Sequence, residues 1–166
     1  MLNEFNEKQK EMEISKMNKK AEDVVTTAVA AAAAIGGVPI PFADAPLLIS
    51  AQVAMMAKIS DVYKIDIGKD GLKMLAVAAL GAGGGGFIGR VIANNLLKCI
   101  PFGGPLIGGL ISGATAAAIT LSMGNSFIAV CKKVKLGELI YSDIISTKGV
   151  SYMTGEFEKQ MKKNKK

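Results

Sequence analysis

Residues 24–64 have the sequence VVTTAVAAAAAIGGVPIPFADAPLLISAQVAMMAKISDVYK, and this stretch decides the fold class. Its alanine-rich run favours a helix over a strand, and the two acids just before it suit a helix N-terminus. Gly36-Gly37 and the prolines that follow end that helix. A second helix is predicted after Asp44, with Asp44 as its N-cap and Pro46 near the first turn. Its polar side chains share one arc, as in an amphipathic helix: Ser50, Lys58, Asp61 and Lys64.

Two more apolar segments follow. One begins near Asp70-Gly71 and continues to about residue 99, and the other runs from about Pro105 to Val134 with no charge before Lys132. All four segments have the length and period of helices, so we predict an all-α fold. The predicted organisation is a polar N-terminal arm (1–23), an apolar four-helix domain (24–134) and a basic C-terminal tail (135–166).

The tripeptide Ile-Pro-Phe occurs at 40–42 and again at 100–102, each time between two apolar segments. Because proline cannot continue a helix, each half of the domain is predicted to be an antiparallel helical hairpin with this tripeptide at its corner. The alternative is a chance similarity between two proline-rich corners. The predicted corner residues are Pro39, Pro41, Pro46, Pro101 and Pro105.

Glycines recur at intervals of four in the second half of the apolar domain. Such spacing lets two helix backbones approach closely, a contact that is favoured in lipid. The alternative is a kink or irregular loop at 81–86. The predicted helix-packing residues are Gly81, Gly85, Gly89, Gly104, Gly108, Gly109 and Gly113. A hydroxyl stripe on the last apolar helix is predicted to hydrogen-bond across helices: Ser112, Thr115, Ser122 and Ser126.

The composition excludes most catalytic classes. The 166 residues include no His, so Ser-His-Asp and Cys-His chemistry are excluded. Cys99 and Cys131 lack zinc-type spacing and make no disulfide framework, which favours a reducing compartment. Two GxGxxG matches within 81–89 lack the acid, about 20 residues downstream, that holds a ribose. We predict no catalytic, cofactor-binding or metal-binding residue, and an enzyme is the least favoured class of function.

The distribution of charge favours a membrane. The net charge of +6 comes mostly from the tail, and neither Ile-Pro-Phe corner carries a Lys or Arg. Hairpins whose corners point away from the cytoplasm would obey the positive-inside rule, with both termini cytoplasmic.

Of the uncharged windows, only 99–131 makes a convincing span by itself, and the second and third segments could span or lie flat. Arg90 and Lys98 would be costly inside a bilayer unless their side chains reach the interface or pair with an acid. Asp44 is the nearest candidate partner. The alternative is a soluble helical bundle.

A short amphipathic helix is predicted at about 151–162. Val150, Met153, Phe157 and Met161 recur at i, i+3, i+7 and i+11, which places them on one face. A helix of this length rarely persists alone, so it should gain order against the helical body or an anionic membrane. The predicted membrane-surface residues are Phe157, Lys159, Lys162, Lys163, Lys165 and Lys166. The alternatives are an unstructured solubilising tail and nucleic-acid binding, and the absence of a stacking module argues against the latter.

The N-terminal arm carries both signs of charge and no apolar signal-peptide region. It is predicted to be a solvated helix or a frayed arm. Its apolar residues are too scattered for a strong stripe: Leu2, Phe5, Met12, Ile14 and Met17.

Residues from about 26 to 134 resemble the helical domain catalogued as domain of unknown function 697. The resemblance is carried by the first corner with its following helix (36–63), the link Asp-Ile-Gly-Lys-Asp-Gly-Leu (66–72) and the second corner KCIPFGGPLIGGLISGATAAAITLSMG (98–124). That family is found C-terminal to Era-like and dynamin-like GTPase domains and in YcjF-like bacterial inner-membrane proteins. It has no active site to carry over. This chain has neither a P-loop nor an Asn/Thr-Lys-x-Asp motif, so the resemblance allows a GTPase partner only as a separate polypeptide.

The predicted function is therefore a non-enzymatic, membrane-associated helical module of the bacterial cytoplasmic membrane. Its expected partners are membrane lipid, a separate GTPase for which it is a docking or accessory domain, and a second copy of itself; nucleic acid is disfavoured. The alternative is a soluble or self-inserting helical oligomer, with a pore as its extreme form.

Overall fold

The computed structural model describes residues 2–35, 45–80 and 113–164, and within these ranges the chain is helical without any strand. The all-α class is thereby confirmed. The five helices are α1 (Leu2–Ile35), α2 (Ala45–Tyr63), α3 (Lys69–Leu80), α4 (Gly113–Leu136) and α5 (Thr147–Lys163). A 3₁₀ turn, Tyr141–Asp143, lies between α4 and α5.

The starts of α2 and α3 agree with the predicted N-terminal signals. α2 begins at Ala45, directly after Asp44, and α3 begins at Lys69, next to the Asp70-Gly71 pair. The four polar side chains that the pattern places on one arc of α2 and its end are all exposed. This arc therefore faces solvent, as its spacing predicts, because the opposite face is apolar and buried.

α1 is longer than the first apolar segment and includes residues 2–23 of the N-terminal arm. The boundary predicted between residues 23 and 24 therefore falls inside a continuous helix. Ile14, Ala21 and Val25 are buried, and Met17 packs against the core from the same face. The view that the apolar residues of the arm are scattered is therefore wrong for Ile14 and Met17. Together with Ala21 and Val25 they form one stripe.

α4 is the central helix of the described core. It packs on α1, α2 and α5, whereas α3 packs on α2 and α5. Ile119, Met123, Phe127 and Val130 are completely buried, at spacings of four, four and three residues. This spacing turns one stripe of α4 into the packed interior, because residues three and four apart share a helix face.

No helix among the described residues is long and apolar enough to cross a membrane. The span predicted at 99–131 begins outside the described residues, and its described part lies in α4. That part is a core helix of the bundle. Its apolar side chains pack against three other helices, and Thr120, Ser122 and Ser126 are buried along it.

A short connector joins α4 to α5. Gly137 has a φ of +80°, a conformation that glycine adopts without strain, and the Glu138 amide donates to the Lys133 carbonyl at 2.9 Å. Leu139 and Ile144 anchor the connector in the core. Ser146 then caps α5 by accepting a hydrogen bond from the Lys148 amide at 3.2 Å.

α5 confirms the predicted tail helix and extends it at its N-terminal end. Met153, Phe157 and Met161 are buried on the predicted face, and Val150 packs against the core. Gly149 lies inside the first turn of α5. A Cβ there would collide with the backbone carbonyl oxygens of Asp143 and Ile144, so the connector can pass only over a glycine.

Candidate functional site

An open groove of about 1040 Å³ lies between α2 and the start of α3. Its apolar wall comes from Ile49, Val53 and Ala57, which follow one another along α2. Ile65 and Leu72 line it from the connecting turn and from α3. The spacing of four residues along α2 explains why Ile49, Val53 and Ala57 share the wall.

The turn between the two helices, residues 64–68, forms one end of the groove. Lys64 has a φ of 52°, and the Ile65 amide donates to the Ser60 carbonyl at 3.0 Å, which closes the end of α2. Gly68 has a φ of +73°, and its amide donates to an Asp66 carboxylate oxygen at 3.2 Å. These bonds hold the turn in a defined conformation in front of α3.

Charged side chains of both signs surround the polar end of the groove. The acids are Asp61, Asp66 and Asp70, and the bases are Lys64, Lys69 and Lys73. Next to them, the Ser60 hydroxyl is buried and has no hydrogen-bond partner in the described part of the chain. A buried hydroxyl without a partner is energetically costly. The groove therefore combines an apolar wall with a mixed-charge rim, which suits an amphipathic protein surface with both signs of charge.

A second polar contact lies inside the bundle between α2 and α4. The Gln52 amide nitrogen donates to the Thr120 hydroxyl at 3.0 Å, and both residues are buried. The amide oxygen of Gln52 has no partner among the described residues. This hydrogen bond joins the two helices, and breaking it would leave the buried Gln52 amide nitrogen without a described partner.

The two most reactive side chains of the described core are shielded. Burial raises the pKa of the Cys131 thiol well above its usual value, so the thiol stays protonated. Burial also raises the pKa of Tyr63, whose hydroxyl donates to the side-chain oxygen of Asn18. A protonated, buried thiol and a hydrogen-bonded phenol are poor nucleophiles. In the described ranges, no three His, Cys, Asp or Glu side chains are placed to hold a metal ion.

Most of the predicted helix-packing glycines and corner prolines lie outside the described residues. They are Gly81, Gly85, Gly89, Gly104, Gly108, Gly109, Pro39, Pro41, Pro101 and Pro105. Gly113 is the first residue of α4, and Pro46 is in the first turn of α2. The two-hairpin arrangement and the glycine ladder stay predictions.

The structure identifies three close-packing glycines that the glycine spacing did not. A Cβ on Gly71 of α3 would lie within 3 Å of the Ile67 and Ile145 side chains, one on Gly124 of α4 would collide with Val25 of α1, and Gly149 lies against the connector backbone. Gly124 follows Ala116 and Thr120 at intervals of four residues, whereas Gly71 and Gly149 belong to no series of small residues. The sequence signal available for Gly124 was its place in an apolar helix, where glycine is otherwise unfavourable.

The hydroxyl stripe on α4 is present in its described part. Ser122 and Ser126 are both completely buried. Ser126 donates to the Ser122 carbonyl at 2.6 Å, within α4, and the side-chain amide of Asn164 donates to the Ser122 hydroxyl at 3.0 Å. Ser122 thus hydrogen-bonds across helices, to the residue that follows α5. Ser112 lies outside the described residues.

The predicted membrane-surface residues of the tail separate into two groups. Phe157 is completely buried against the helical body and is not available to a lipid surface in this structure. Lys159, Lys162 and Lys163 are exposed, and Lys159 donates to a Glu156 carboxylate oxygen at 2.6 Å. This hydrogen bond raises the pKa of Lys159. Lys165 and Lys166 lie outside the described residues.

The sequence matches one protein family over most of its length. The model of the family described as domain of unknown function (DUF697) matches residues 2–148. The chain belongs to this family. The match begins in α1 and ends in the first turn of α5, so it includes the groove and the connector.

The chain is also similar to a magnetosome membrane protein. The chain is 29% identical over 112 residues to Magnetosome membrane protein 22 of Magnetospirillum gryphiswaldense. This alignment covers 65% of the chain and 55% of the relative, so the chain spans about half the length of that protein. No solved structure matches.

Proposed function

We propose that the chain is a non-enzymatic, membrane-associated helical module that acts as a docking or accessory domain for a separate Era-like or dynamin-like GTPase. Its membership of the DUF697 family supports this function, because the resemblance implies proteins of this kind. The relative in Magnetospirillum gryphiswaldense carries a membrane protein name, which supports the membrane association.

The observation that carries the docking role is the groove between α2 and α3. Ile49 and Ala57, the partly exposed residues of its apolar wall, supply surface that a protein partner can bury, and its three acids and three lysines supply charges that select the partner. The shielding of Cys131 and Tyr63 favours a binding role over a catalytic one.

The test of the docking role is a titration of a purified GTPase of these classes, from the same organism, with the full chain. The double variant Lys64→Glu/Lys69→Glu changes the groove rim and should weaken binding by tenfold or more. The matched control, Lys8→Glu/Lys10→Glu, makes the same charge change on the exposed first turns of α1 and should keep the affinity of the wild type. Equal affinities for all three proteins would place the partner elsewhere.

The membrane association has its own test. After expression in a bacterium, membranes are extracted with carbonate and the chain is followed in the pellet and the supernatant. Retention in the pellet supports an inserted module, whereas release into the supernatant supports a peripheral one. Flotation of the purified chain with lipid vesicles then tests the association itself.

The proposed orientation has both termini on the cytoplasmic side of a bacterial membrane and the two Ile-Pro-Phe corners pointing away from it. The charge-free corners support this orientation through the positive-inside rule. Protease treatment of intact spheroplasts should leave tags at either terminus uncut. Cleavage of either tag would contradict the orientation.

A further inference from the structure

The connector between α4 and α5 exposes large apolar side chains in a short stretch of chain. Ile140, Tyr141 and Ile145 are 62%, 51% and 48% exposed, and Leu136 at the end of α4 is 39% exposed. We refer to these four residues as the connector surface. Single exposed apolar residues are ordinary, whereas four of them within ten residues are unusual enough to be considered as an interaction surface.

The connector surface is held in place by buried neighbours. Leu139 and Ile144 are buried, whereas the next residue in each case, Ile140 or Ile145, is exposed; one methyl group of Ile145 lies beside Gly71 of α3. The Asp143 amide donates to the Ile140 carbonyl at 2.9 Å, and the Ser146 hydroxyl donates to the Asp143 carbonyl at 2.7 Å. The outward side chains are therefore presented by an ordered backbone, so binding through them costs little additional ordering.

The charges around the connector surface favour an anionic partner. Both acids of the connector are paired with lysines: Glu138 with Lys133, and Asp143 with Lys148 at 3.1 Å. Lys132 and Lys135 add positive charge at the end of α4. Apolar side chains with lysines around them are the combination that binds an anionic lipid surface. The apolar side chains of the connector surface can enter the headgroup region while the lysines reach the phosphates.

We propose that the connector surface is the part of this chain that contacts the membrane, with Ile140, Tyr141 and Ile145 entering the interface of an anionic bilayer. Tyr141 suits this position because its ring is apolar and its hydroxyl is polar. This inference rests on the membrane association proposed above. It assigns that association to the connector, in place of the apolar face of α5, which is buried against the core.

The test is flotation of the full chain with vesicles that contain phosphatidylglycerol and with vesicles of phosphatidylcholine alone. The wild type should float with the anionic vesicles, and Ile140→Ser/Tyr141→Ser should reduce the partition coefficient roughly tenfold or more. The matched control is Leu2→Ser/Phe5→Ser, which removes two apolar side chains from the start of α1 that are, as a pair, more exposed than Ile140 and Tyr141. This control should float like the wild type, and all three proteins should unfold at similar temperatures.

A pair of charge variants tests the basic surround. Lys132→Glu/Lys135→Glu should lower flotation with the anionic vesicles only, whereas Lys8→Glu/Lys10→Glu should leave it unchanged, because only the first pair lies beside the connector surface.

The outcomes separate this inference from the proposed function. Flotation that is the same for the wild type and for the connector variant would overturn the inference and leave the membrane association standing. A wild type that floats with neither kind of vesicle would overturn both. If the connector variant instead loses a dimer in sedimentation and keeps its flotation, the connector surface is a contact between copies of the chain, and the lipid assignment is wrong.

Discussion

Two helices at opposite ends of the chain carry apolar stripes with the same spacing, i, i+3, i+7 and i+11. In α1 the stripe is Ile14, Met17, Ala21 and Val25, and in α5 it is Val150, Met153, Phe157 and Met161. Both helices pack on α4. The two stripes differ in the size of their side chains and in the sequence that surrounds them.

The α5 stripe is large and lies within a polar, charged helix, so the apolar residues are conspicuous. The α1 stripe begins among charges and ends in the alanine-rich segment, and its small members Ala21 and Val25 lie where α1 packs on α4. Dividing the chain between residues 23 and 24, where its composition changes, therefore hides the α1 stripe. The comparison teaches that helical period is a more reliable guide to a buried face than the local density of apolar residues.

The largest expected effect is on the α5 stripe. Phe157→Ala should lower the free energy of unfolding by about 3–5 kcal/mol, because it removes a completely buried ring and leaves a cavity. Urea unfolding followed by circular dichroism measures this. The control Phe5→Ala, at a position that is 59% exposed, should change stability by less than about 0.5 kcal/mol. Equal losses from the two variants would break the distinction between the buried and the exposed apolar residues of the terminal helices.

The next effect concerns the start of α5. Gly149→Ala should destabilise the fold by about 2–3 kcal/mol, because the new methyl group meets backbone carbonyls of the connector, which cannot rotate away. Gly155→Ala is the matched control in the same helix, where nothing lies within 4 Å of an added Cβ. The control should gain up to about 1 kcal/mol from helix propensity. Thermal unfolding of both variants measures the two changes in stability. A stabilised Gly149→Ala would contradict the packing of α5 on the connector.

A third prediction contrasts the polar contacts of the two terminal helices. Asn18 of α1 accepts a hydrogen bond from the Tyr63 hydroxyl, which can ionise. Asn164, which follows α5, donates to the Ser122 hydroxyl, and neither Asn164 nor Ser122 ionises. Burial raises the pKa of Tyr63 in the folded state. Its stabilising contribution is therefore complete below the unfolded pKa of about 10 and decreases above it, by up to about 1.4 kcal/mol per pH unit.

Urea unfolding at a series of alkaline pH values measures this contribution. Tyr63→Phe keeps the ring and should show a shallower loss of stability above pH about 10 than the wild type. Tyr141→Phe, at an exposed position, should follow the wild type. Identical slopes for Tyr63→Phe and the wild type would assign the alkaline loss to other groups.

The smallest effect tests the close approach of α1 to α4. Gly124→Ala should cost about 1 kcal/mol, because the clash is with the methyl groups of Val25 and not with backbone, so a small displacement of α1 can relieve it. Adding Val25→Ala makes room for the new methyl group, so the double variant should be more stable than the sum of the single changes predicts. A double-mutant cycle measures this coupling, and strict additivity would show that α1 and α4 do not meet at these two residues.

The groove and the connector surface show where prediction from sequence stops. The pattern identified the polar arc of α2 and the link at 66–72, but not that Ser60 is buried beside them or that α2 and α3 enclose a groove. It also placed Phe157 among the membrane-surface residues, and the structure places it in the core. In both cases the sequence pattern identified the polar or apolar face of a helix, but not the neighbouring helix that packs against it.

The all-α class, the start of α2, the apolar face of α5 and the absence of histidine chemistry could all be predicted from the sequence. These follow from local properties: helix propensity, capping, a period of 3.6 residues and composition. Three features appear only in the folded bundle: the stripes of α1 and α5 both pack on α4, Gly124 and Gly149 are points of close contact, and Leu139 and Ile144 are buried while Ile140 and Ile145 are exposed. A helix face is defined by a few neighbouring residues, whereas its burial depends on side chains that are distant in sequence and meet only when the bundle packs.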